Sequence, residues 1–536
     1  MLTTLRKSLA DANPRLFLVC AYASLGSVSQ GFDSAWWGSI LGATAFNNHF
    51  GSVKSVASDG TVSYSLSTTE ISLGTGLGMA FGMIGGLSVS WPMKYWGRKA
   101  CLWIIASILL SGIIIEAVAT IPASYACLIV GKALVSIGTG LSAGSICAYL
   151  AECAPPSMRG VLVTLYINIQ SVGSLVGEIV VYCVVNRSDA GNWLFPICTQ
   201  AIFPLLFLAG IYWLPESPRW LVAQGRLDEA EEVVRSLRPW AEERVHQEVI
   251  EMAFAHEEEQ RLDAQFGWVD LFKGSNRVRT LVAIGTQTLQ QAQGLTYIIS
   301  YLVLTLEDLG FTNGQLINFL MYIIQFVCTG TSFITAEKIG RRNVLMGGAF
   351  VQGCCMMVIS GIVTHDATPT GRLGDVTLAM YLIWMVSMAC SWMPMAYILG
   401  SEVPAQGLRD KTLSVSIWWG YGVGLLIIMG SPYMTDAGYG GLGAKVGLPF
   451  SVVGCVLSSL QINYIWSIVS FGTCAWVYFL APELKGRSLE EIDYMFEEGV
   501  PIRQFGTWDT SAMLEDKRQR AVETIEKVAV AHVESL

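Results

Sequence analysis

The sequence is short of charged residues and of histidine, and both shortages exclude classes of protein. Charged residues make up 14% of the 536 positions, whereas soluble domains carry about a quarter. The five histidines lie in predicted loops or near the ends of predicted spans, so a histidine metal site is not expected. The thirteen cysteines contain no C-x-x-C pair, which argues against a redox or zinc motif.

Signals of catalysis and of nucleic-acid binding are missing as well. No nucleophile–base set, phosphate-binding loop or metal-ligand spacing occurs, so the protein is not expected to be an enzyme, and no cofactor or metal is predicted. The formal net charge is −9. Most acids lie in 228–263 and in the C-terminal tail, which indicates a solvated face rather than a basic surface for nucleic acid.

Apolar residues are abundant instead. They form 52% of the chain, at a mean hydropathy of +0.49, and gather in blocks near the roughly 20 residues that cross a bilayer. We therefore predict an all-α polytopic membrane protein with twelve transmembrane helices. The predicted spans are 16–42, 71–93, 100–120, 124–150, 160–186, 193–214, 278–303, 314–336, 343–364, 377–400, 411–433 and 461–481.

The distribution of basic residues predicts the orientation. Short loops on one side of the spans hold most of the lysine and arginine, and the positive-inside rule places that side, with both termini, in the cytoplasm. The basic residues on this side are Arg6, Lys7, Arg15, Lys94, Arg98, Lys99, Arg159, Lys338, Arg341, Arg342, Arg409 and Lys411. Those on the other side are Lys54, Arg187, Arg372 and Lys445. Asn186 begins a glycosylation sequon in a loop on that other side.

Three short phrases occur twice, in the same order, about half the chain apart. Such repetition indicates two related membrane halves, as in many solute carriers. The pairs are 96–99 with 337–342, 152–160 with 402–410, and 215–219 with 482–487. The predicted units are an N-terminal six-helix bundle at 1–214, a cytoplasmic helical linker at 215–277, a C-terminal six-helix bundle at 278–481 and a cytoplasmic tail at 482–536. The apolar stretch 447–460 fits no single crossing; it lies in the interface, folds back, or reflects a gene-model error.

Two ionisable residues lie deep in predicted spans and are placed to meet. Asp33 lies about nine residues from the outer end of the first span and Lys132 about eight from that of the fourth, so both sit about 12–14 Å below the outer surface. An unpaired ion at this depth is costly, so pairing or a role in ion movement is the default expectation. A purely structural ion pair is the alternative. Glu178 in the fifth span is a rival partner for Lys132, and Glu116, nearer the surface, is expected to extend toward the interface.

A run of glutamines opens the seventh span. Gln287, Gln290, Gln291 and Gln293 follow one another closely in an apolar setting. Amides in a membrane span are costly unless they bond across helices or line a polar cavity. Each glutamine offers donors and an acceptor, which suits the hydroxyls of a polyol. Substrate binding and bonding between helices are the two interpretations.

A family resemblance rests on these phrases. The Pro-Glu-Ser-Pro-Arg-Trp-Leu run at 215–221 and the phrase 482–492, which ends Gly-Arg-Ser-Leu-Glu-Glu-Ile, resemble the sugar porter family of the major facilitator superfamily. The resemblance extends from Gly31 to Phe496. It implies the major facilitator fold of two six-helix bundles, a central substrate site, and rocking between outward-open and inward-open states.

The resemblance also implies roles for residues inside the spans. In the family, an aspartate at the place of Asp33, facing an arginine in the fourth span, marks proton-coupled members, and here Lys132 replaces the arginine. The family's Gln-Gln-x-x-Gly-x-Asn pattern binds sugar through two glutamines, which correspond to Gln290 and Gln291. The other substrate-binding candidates are Gln287, Thr296, Gln325 and Tyr397, with Trp392, Trp418 and Trp419 as candidate aromatic platforms.

The repeated acids and arginines are candidates for a gate on the cytoplasmic side. At helix ends they can form salt-bridge clusters and helix-dipole contacts that exist in only one state, so they are expected to tie the bundles together when this gate is closed. Anchoring of the topology is the alternative. The candidates are Arg98, Glu152, Arg159, Glu216, Arg219, Glu337, Arg341, Glu402, Arg409 and Glu483. The first copy has Lys94 where the second has the acid Glu337.

The leading hypothesis is a sugar:proton symporter of the plasma membrane, working by alternating access as a monomer in the lipid bilayer. Outside, Asp33 would take a proton, its attraction to Lys132 would fall, and the outer half would close around the sugar. The alternatives are a passive facilitator of a sugar or polyol and a non-transporting nutrient sensor on the same fold. A drug-type exporter is less favoured, because its motifs would not include the glutamine run.

Overall fold

The computed structural model describes residues 13–56, 62–121, 123–155, 159–240, 242–311, 313–366, 368–435, 462–485, 487 and 489–508. Its helices follow the predicted apolar blocks closely. We number the membrane helices span 1 to span 12 in chain order. The unassigned stretch 447–460 lies outside the described residues.

Spans 1 to 6 form the first bundle, called the N half. Span 1 packs on span 5, span 3 on span 4, and span 2 on span 4. In order, the spans are Pro14–Ala23 with Leu25–Ile40, Thr68–Ser88 with Ser90–Trp96, Arg98–Ala119, Tyr125–Cys153, Arg159–Val184, and Gly191–Gln200 with Ile202–Ile211.

Spans 7 to 12 form the second bundle, called the C half. Span 7 packs on span 11, span 9 on span 10, and span 8 on span 10, so the three pairings of the N half recur six spans later. In order, the spans are Gly274–Ala292 with Leu295–Asp308, Gly314–Ile339, Arg341–His365, Gly371–Cys390 with Trp392–Glu402, Arg409–Thr435 and Ile462–Leu480.

Eight helices in the described part of the chain are long and apolar enough to cross a membrane. They are Thr68–Trp96, Arg98–Ala119, Tyr125–Cys153, Leu165–Val184, Gly191–Ile211, Arg341–His365, Gly371–Glu402 and Lys411–Thr435. Together with the interrupted or shorter spans, they give the predicted all-α architecture of twelve membrane helices in two six-helix bundles.

Span 7 is broken immediately after the glutamine run. Gly294 has φ +93°, a left-handed conformation, and a Cβ at this position would lie 3.0 Å from the ring of Trp466. Only glycine combines that backbone with so close a neighbour. The break ends the first helix of span 7 at Ala292 and directs Thr296 back toward Gln291. Broken helices of this kind expose backbone and side-chain polar groups at the middle of transporters.

In the described part of the chain, the segments outside the spans are helices, 3-10 turns and one hairpin. Strand β1 (Val53–Val56) pairs antiparallel with β2 (Val62–Ser65) between spans 1 and 2, after a helix at Thr44–Phe50. The helices between the halves are Pro218–Ala223, Leu227–Leu237 and Glu242–Gln265, with a 3-10 turn at Trp268–Phe272, and further along the chain are 3-10 turns at Gln406–Leu408 and Ile502–Gln504 and the tail helix Leu489–Glu497. The tail helix docks on span 7 through an ion pair between Asp493 and Arg279.

The two ends of the molecule differ. We call the end that holds Arg98 and Arg341 the motif end, and the other the opposite end. Two hydrogen bonds between the halves lie toward the opposite end. Ser72 Oγ donates to the Met429 carbonyl at 2.8 Å, and Tyr433 Oη donates to Thr69 Oγ1 at 3.2 Å. These two bonds join spans 2 and 11 away from the repeated motifs.

Candidate functional site

Asp33 and Lys132 form a buried ion pair in the middle of the N half. Lys132 Nζ lies 2.7 Å from Asp33 Oδ1, and the side chains are 5% and 8% exposed for Lys132 and Asp33. Nζ also donates to the Asp33 carbonyl at 3.3 Å, and it lies 5.0 Å from the centre of the Trp37 ring. Gln200 Nε2 donates to Asp33 Oδ1 at 3.3 Å.

Gln200 and Trp37 were not predicted, although the sequence contains a signal for each. Gln200 is an amide in the apolar sixth span, and Trp37 lies one helical turn after Asp33. An amide in a span points to an interior partner, and a tryptophan face attracts a cation. The pair and its neighbours all belong to the N half, so the charges of Asp33 and Lys132 do not bridge the two bundles.

Two other carboxyls in the N half are placed differently from expectation. Glu116 does not extend to the surface: it is fully buried, and neither carboxyl oxygen has a hydrogen-bond partner among the described residues. The reason is its position on the face of span 3 that packs on span 4, where a Cβ at Gly131 would lie 2.7 Å from Glu116 Cγ. Glu178 is not the partner of Lys132, because its carboxylate accepts a hydrogen bond from Ser39.

Gln290 is bonded to another helix. Its Nε2 donates to the carbonyls of Trp392 at 3.0 Å and Met393 at 3.1 Å, where span 10 breaks at Ser391. The side chain is nearly fully buried. The amide nitrogen of Gln290 therefore serves the contact between helices, as one of the two interpretations anticipated.

Gln291, Thr296 and Gln287 gather beside span 11. Thr296 Oγ1 donates to Gln291 Oε1 across the break in span 7, and a Cβ at Gly424 would lie 3.5 Å from that oxygen. Gln287 packs against Gly420, and its buried Nε2 has no hydrogen-bond partner among the described residues. The free amide nitrogen of Gln287 and the bonded pair of Gln291 and Thr296 therefore lie along one side of span 7.

The remaining substrate candidates lie on spans 8 and 10. Gln325 is half-buried, and its Oε1 has no partner in the described part of the chain. Tyr397 is 37% exposed and lies within electrostatic range of Tyr421 on span 11. Trp392 was expected to offer an aromatic platform, but it is fully buried and its indole donates to the Leu345 carbonyl at 3.0 Å.

Trp418 and Trp419 are exposed on span 11, at 44% and 50%. Their ring faces are therefore free to meet a ligand or lipid, whereas the ring of Trp392 is enclosed by spans 9 and 10.

The motif end of the N half holds a compact charged cluster. Arg98 Nη2 lies 2.7 Å from Glu152 Oε1. The backbone N–H groups of Arg98 and Lys99 donate to Glu216 at 3.0 and 3.2 Å, so this carboxylate caps the amino end of span 3. Burial raises the pKa of Glu216, and the N–H groups of Ser217, Lys99 and Arg98 oppose that rise.

The motif end of the C half repeats this geometry. Arg341 Nη2 lies 3.0 Å from Glu402 Oε1, and the N–H groups of Arg341 and Arg342 donate to Glu483 at 3.0 and 3.2 Å. Glu483 thus caps span 9 as Glu216 caps span 3.

A glycine precedes each capped helix. Gly97 and Gly340 have φ +90° and +99°, and a Cβ on either would lie 2.6 or 2.5 Å from the capping carboxylate. The glycine of the repeated phrase is therefore required both by the backbone and by the approach of the acid.

The charged clusters lie within one half each, rather than between the halves. The ion pairs of Arg98 with Glu152 and of Arg341 with Glu402 fix a span end to its neighbour in the same bundle. A role of the repeated acids and arginines in a cytoplasmic gate stays a prediction. Arg409 lies within electrostatic range of Glu402, and Arg219 is half-buried in the helix Pro218–Ala223. The side chains of Arg159 and Glu337 lie outside the described part of the structure.

Asn186, the predicted sequon asparagine, is exposed in the loop that follows span 5. It lies at the opposite end of the molecule, beside an exposed ion pair between Arg187 and Asp189 at 2.8 Å. Its side chain is accessible for modification.

Comparison with known proteins identifies the family. The family model for "Sugar (and other) transporter" matches residues 19–496. The low-affinity glucose transporter HXT3 of Saccharomyces cerevisiae is 27% identical over 509 residues, covering 92% of this chain and 84% of that protein. Hexose transporter 2 of Kluyveromyces lactis is 26% identical over 511 residues, covering 92% and 85%.

Solved structures support the same fold. The inward-open conformation of the xylose transporter XylE from E. coli matches with a TM-score of 0.69 at 20% identity, covering 90% of this chain and 99% of that one. The POT family transporter PepTSo matches with a TM-score of 0.57 at 10% identity, covering 90% and 98%, so these likenesses report architecture. Because the family model spans most of the sequence, the chain belongs to the sugar (and other) transporter family and is built on the major facilitator fold.

Proposed function

We propose that the protein is a transmembrane carbohydrate transporter that works by alternating access and moves a sugar together with a proton. The observation that carries the proton is the enclosed pair of Asp33 and Lys132. The sugar is supported by the relatives, which are named as glucose and hexose transporters. XylE, which shares the fold, is described as a proton:xylose symporter.

The geometry supplies a way to couple the proton to movement. Protonation of Asp33 would remove the negative charge that faces Lys132, and a buried cation without its partner is unfavourable. Lys132 would keep the Asp33 carbonyl and the Trp37 ring as weaker partners. The cation can therefore shift within the N half without leaving it.

The substrate would bind along the broken seventh span. Gln287, with a free buried donor, and the pair of Gln291 and Thr296 are the central ligands, with Gln325 and Tyr397 completing the polar surface. Gln290 contributes its carbonyl oxygen, because its nitrogen is engaged by span 10. A sugar hydroxyl can both donate to and accept from such amides.

The charged clusters would make each half a rigid body. Because Arg98 with Glu152 and Arg341 with Glu402 each lie within one bundle, rocking leaves both pairs intact.

We assign the motif end, both termini, the linker 215–277 and the tail 482–536 to the cytoplasmic side, with a bundle on either side of the linker at 1–214 and 278–481. The protein would act as a monomer in the lipid bilayer of the plasma membrane.

The test is uptake of a labelled hexose panel by vesicles with an imposed inward proton gradient. The wild-type protein should accumulate its sugar above the outside concentration, and a protonophore should abolish that excess. Asp33→Asn should reach equilibrium only, with exchange of sugar retained. Uphill accumulation by Asp33→Asn would contradict the assignment of the proton site.

A passive facilitator is the second candidate. It is favoured by the enclosure of Lys132, whose Nζ contacts a carboxylate, a carbonyl and an aromatic ring at once, as in a fixed structural pair. The same experiment separates the two, because a facilitator never exceeds the outside concentration in any gradient.

A further inference from the structure

A buried polar cluster joins the two halves at the opposite end. It lies where spans 1, 5 and 8 meet, and it centres on Ser39. The Ser39 hydroxyl donates to the carboxylate of Glu178, and Asn318 Nδ2 donates to Ser39 Oγ at 2.9 Å. Gln315 Nε2 donates to the Ser39 carbonyl at 2.8 Å.

The cluster has to come apart if this end opens. Glu178 and Ser39 belong to the N half, whereas Asn318 and Gln315 belong to the C half. Glu178 and Ser39 are fully buried and Asn318 is 4% exposed. Separation of the halves would break the bonds from span 8 and bring water to the Glu178 carboxyl, so its surroundings differ between the two states of the transporter.

Among the residues that the structure describes, no cation lies beside Glu178 in the closed end. Span 1 carries Asp33 and span 4 carries Lys132, but these two are paired with each other. Span 8 contributes Tyr322, a buried phenol within electrostatic range of Glu178, and the packed segment of span 6 contributes the exposed Cys198. Among the described residues, burial and neutral hydrogen-bond donors are what act on the Glu178 carboxyl.

The two carboxyl oxygens of Glu178 are not equivalent. One accepts from Ser39, while Oε1 is buried with no hydrogen-bond partner among the described residues. An ionised carboxylate here would be a buried charge without a counter-ion, which is unfavourable. A proton on Oε1 removes that cost and leaves the bond from Ser39 in place.

We propose that Glu178 is a second proton-binding site, a latch whose neutral acid holds the opposite end closed. When the halves part at this end, the O–H bond of the acid breaks, the proton passes to water on that side, and the carboxylate keeps the electron pair. Closing takes a proton back from the same side. The proposal rests on the alternating access of the proposed function, but not on proton coupling at Asp33.

The equilibrium between the closed and the open form depends on pH. The closed form binds one more proton than the open form, so acid favours closure and alkali favours opening. For one proton, the ratio of closed to open protein changes by up to about tenfold per pH unit.

The test is a distance measurement across the opposite end. Spin labels carried by non-canonical amino acids at Lys54 and Arg372, both exposed and in different halves, report separation in the full-length protein in lipid nanodiscs without sugar. In the wild-type protein the long-distance population should rise with pH. Glu178→Gln should show the short distance at every pH. The change in its ratio of closed to open protein with pH should be at least about tenfold smaller than in the wild-type protein.

Two further variants test the latch. Ser39→Ala, which removes the donor to Glu178 and serves if Glu178→Gln fails to fold, should raise the open population and keep the pH response. Glu116→Gln, a buried acid inside one half, should respond as the wild-type protein does. A Glu178→Gln titration that matches the wild-type titration, or loss of the response in Glu116→Gln, would overturn the proposal. Neither outcome depends on whether sugar accumulates uphill.

Discussion

The N half and the C half carry matching charged clusters at the motif end, yet their membrane interiors are different. The interior of the N half holds ionisable side chains: Asp33, Glu116, Lys132 and Glu178. The corresponding interior of the C half holds amides instead: Gln287, Gln290, Gln291 and Gln325. Charge is therefore concentrated in one bundle and hydrogen-bonding capacity for a neutral ligand in the other.

The features that repeat in both halves differ in role from the side chains that occur in one interior only. The features that repeat, such as Glu216 and Glu483 at the starts of spans 3 and 9, hold helices together and occur once in each half. The features that do not repeat carry the proposed proton and sugar sites. A two-bundle protein can keep one architecture in both halves while each interior is specialised.

The largest expected effect comes from breaking the buried pair in the N half. Lys132→Met leaves the Asp33 carboxylate without its cation, so the variant should lose about 3–5 kcal/mol of unfolding free energy. Thermal unfolding of the purified protein measures the change. The double variant Asp33→Asn with Lys132→Met should recover most of the loss, because no charge is then left unpaired.

The matched control is Lys94→Met, which removes an exposed lysine at the motif end of the same half. It should change the unfolding free energy by less than about 0.5 kcal/mol. Equal losses for Lys94→Met and Lys132→Met would show that the interior of the N half is not organised around its ion pair.

A smaller effect tests the likeness of the two motif-end clusters. Arg98→Ala removes a guanidinium that donates two hydrogen bonds to Glu152, and Arg341→Ala removes one that donates to Glu402. Because both glutamates are partly buried, each variant should cost about 1–3 kcal/mol. Chemical denaturation of the two variants, measured side by side, gives the comparison. A difference above about 2 kcal/mol would break the equivalence of the halves at this end.

The smallest effect concerns Trp392 in the C half. Trp392→Phe removes the hydrogen bond to the Leu345 carbonyl and should lower stability by about 1 kcal/mol, with sugar affinity unchanged. Trp418→Ala, on the exposed surface of span 11, is the companion variant. If equilibrium binding of sugar falls in Trp392→Phe at constant folded fraction, its ring contacts the substrate after all.

Much of this arrangement could be predicted from the sequence, and the exceptions have physical causes. Apolar blocks locate the spans because the bilayer fixes their length. Counting residues from the ends of the spans gives the depth of a residue in the membrane, and equal depths predicted that Asp33 and Lys132 meet. Depth does not give rotation about a helix axis. For that reason Glu116, on the face of span 3 against Gly131, was wrongly placed near the interface.

The sequence did not predict the hairpin or the partners of Gln290, although bonding between helices was one interpretation of that glutamine. Both strands of the hairpin, Val53–Val56 and Val62–Ser65, are exposed along their whole length. They therefore lack the alternation of buried and exposed residues that predicts a strand. The role of Gln290 depends on the break in span 10, which opens the carbonyls of Trp392 and Met393 to its amide. Neither a propensity nor a motif encodes that contact.

We propose that the proton binds in the N half and the sugar in the C half. Sugar-induced proton flux into liposomes, recorded together with equilibrium sugar binding, tests both sites in one preparation. Wild-type protein should show both signals, Asp33→Asn should bind sugar without moving protons, and Gln291→Ala should lose about tenfold in sugar affinity, the equivalent of about 1.4 kcal/mol. Sugar-driven proton movement that persists in Asp33→Asn, or sugar affinity unaltered in Gln291→Ala, would contradict the account.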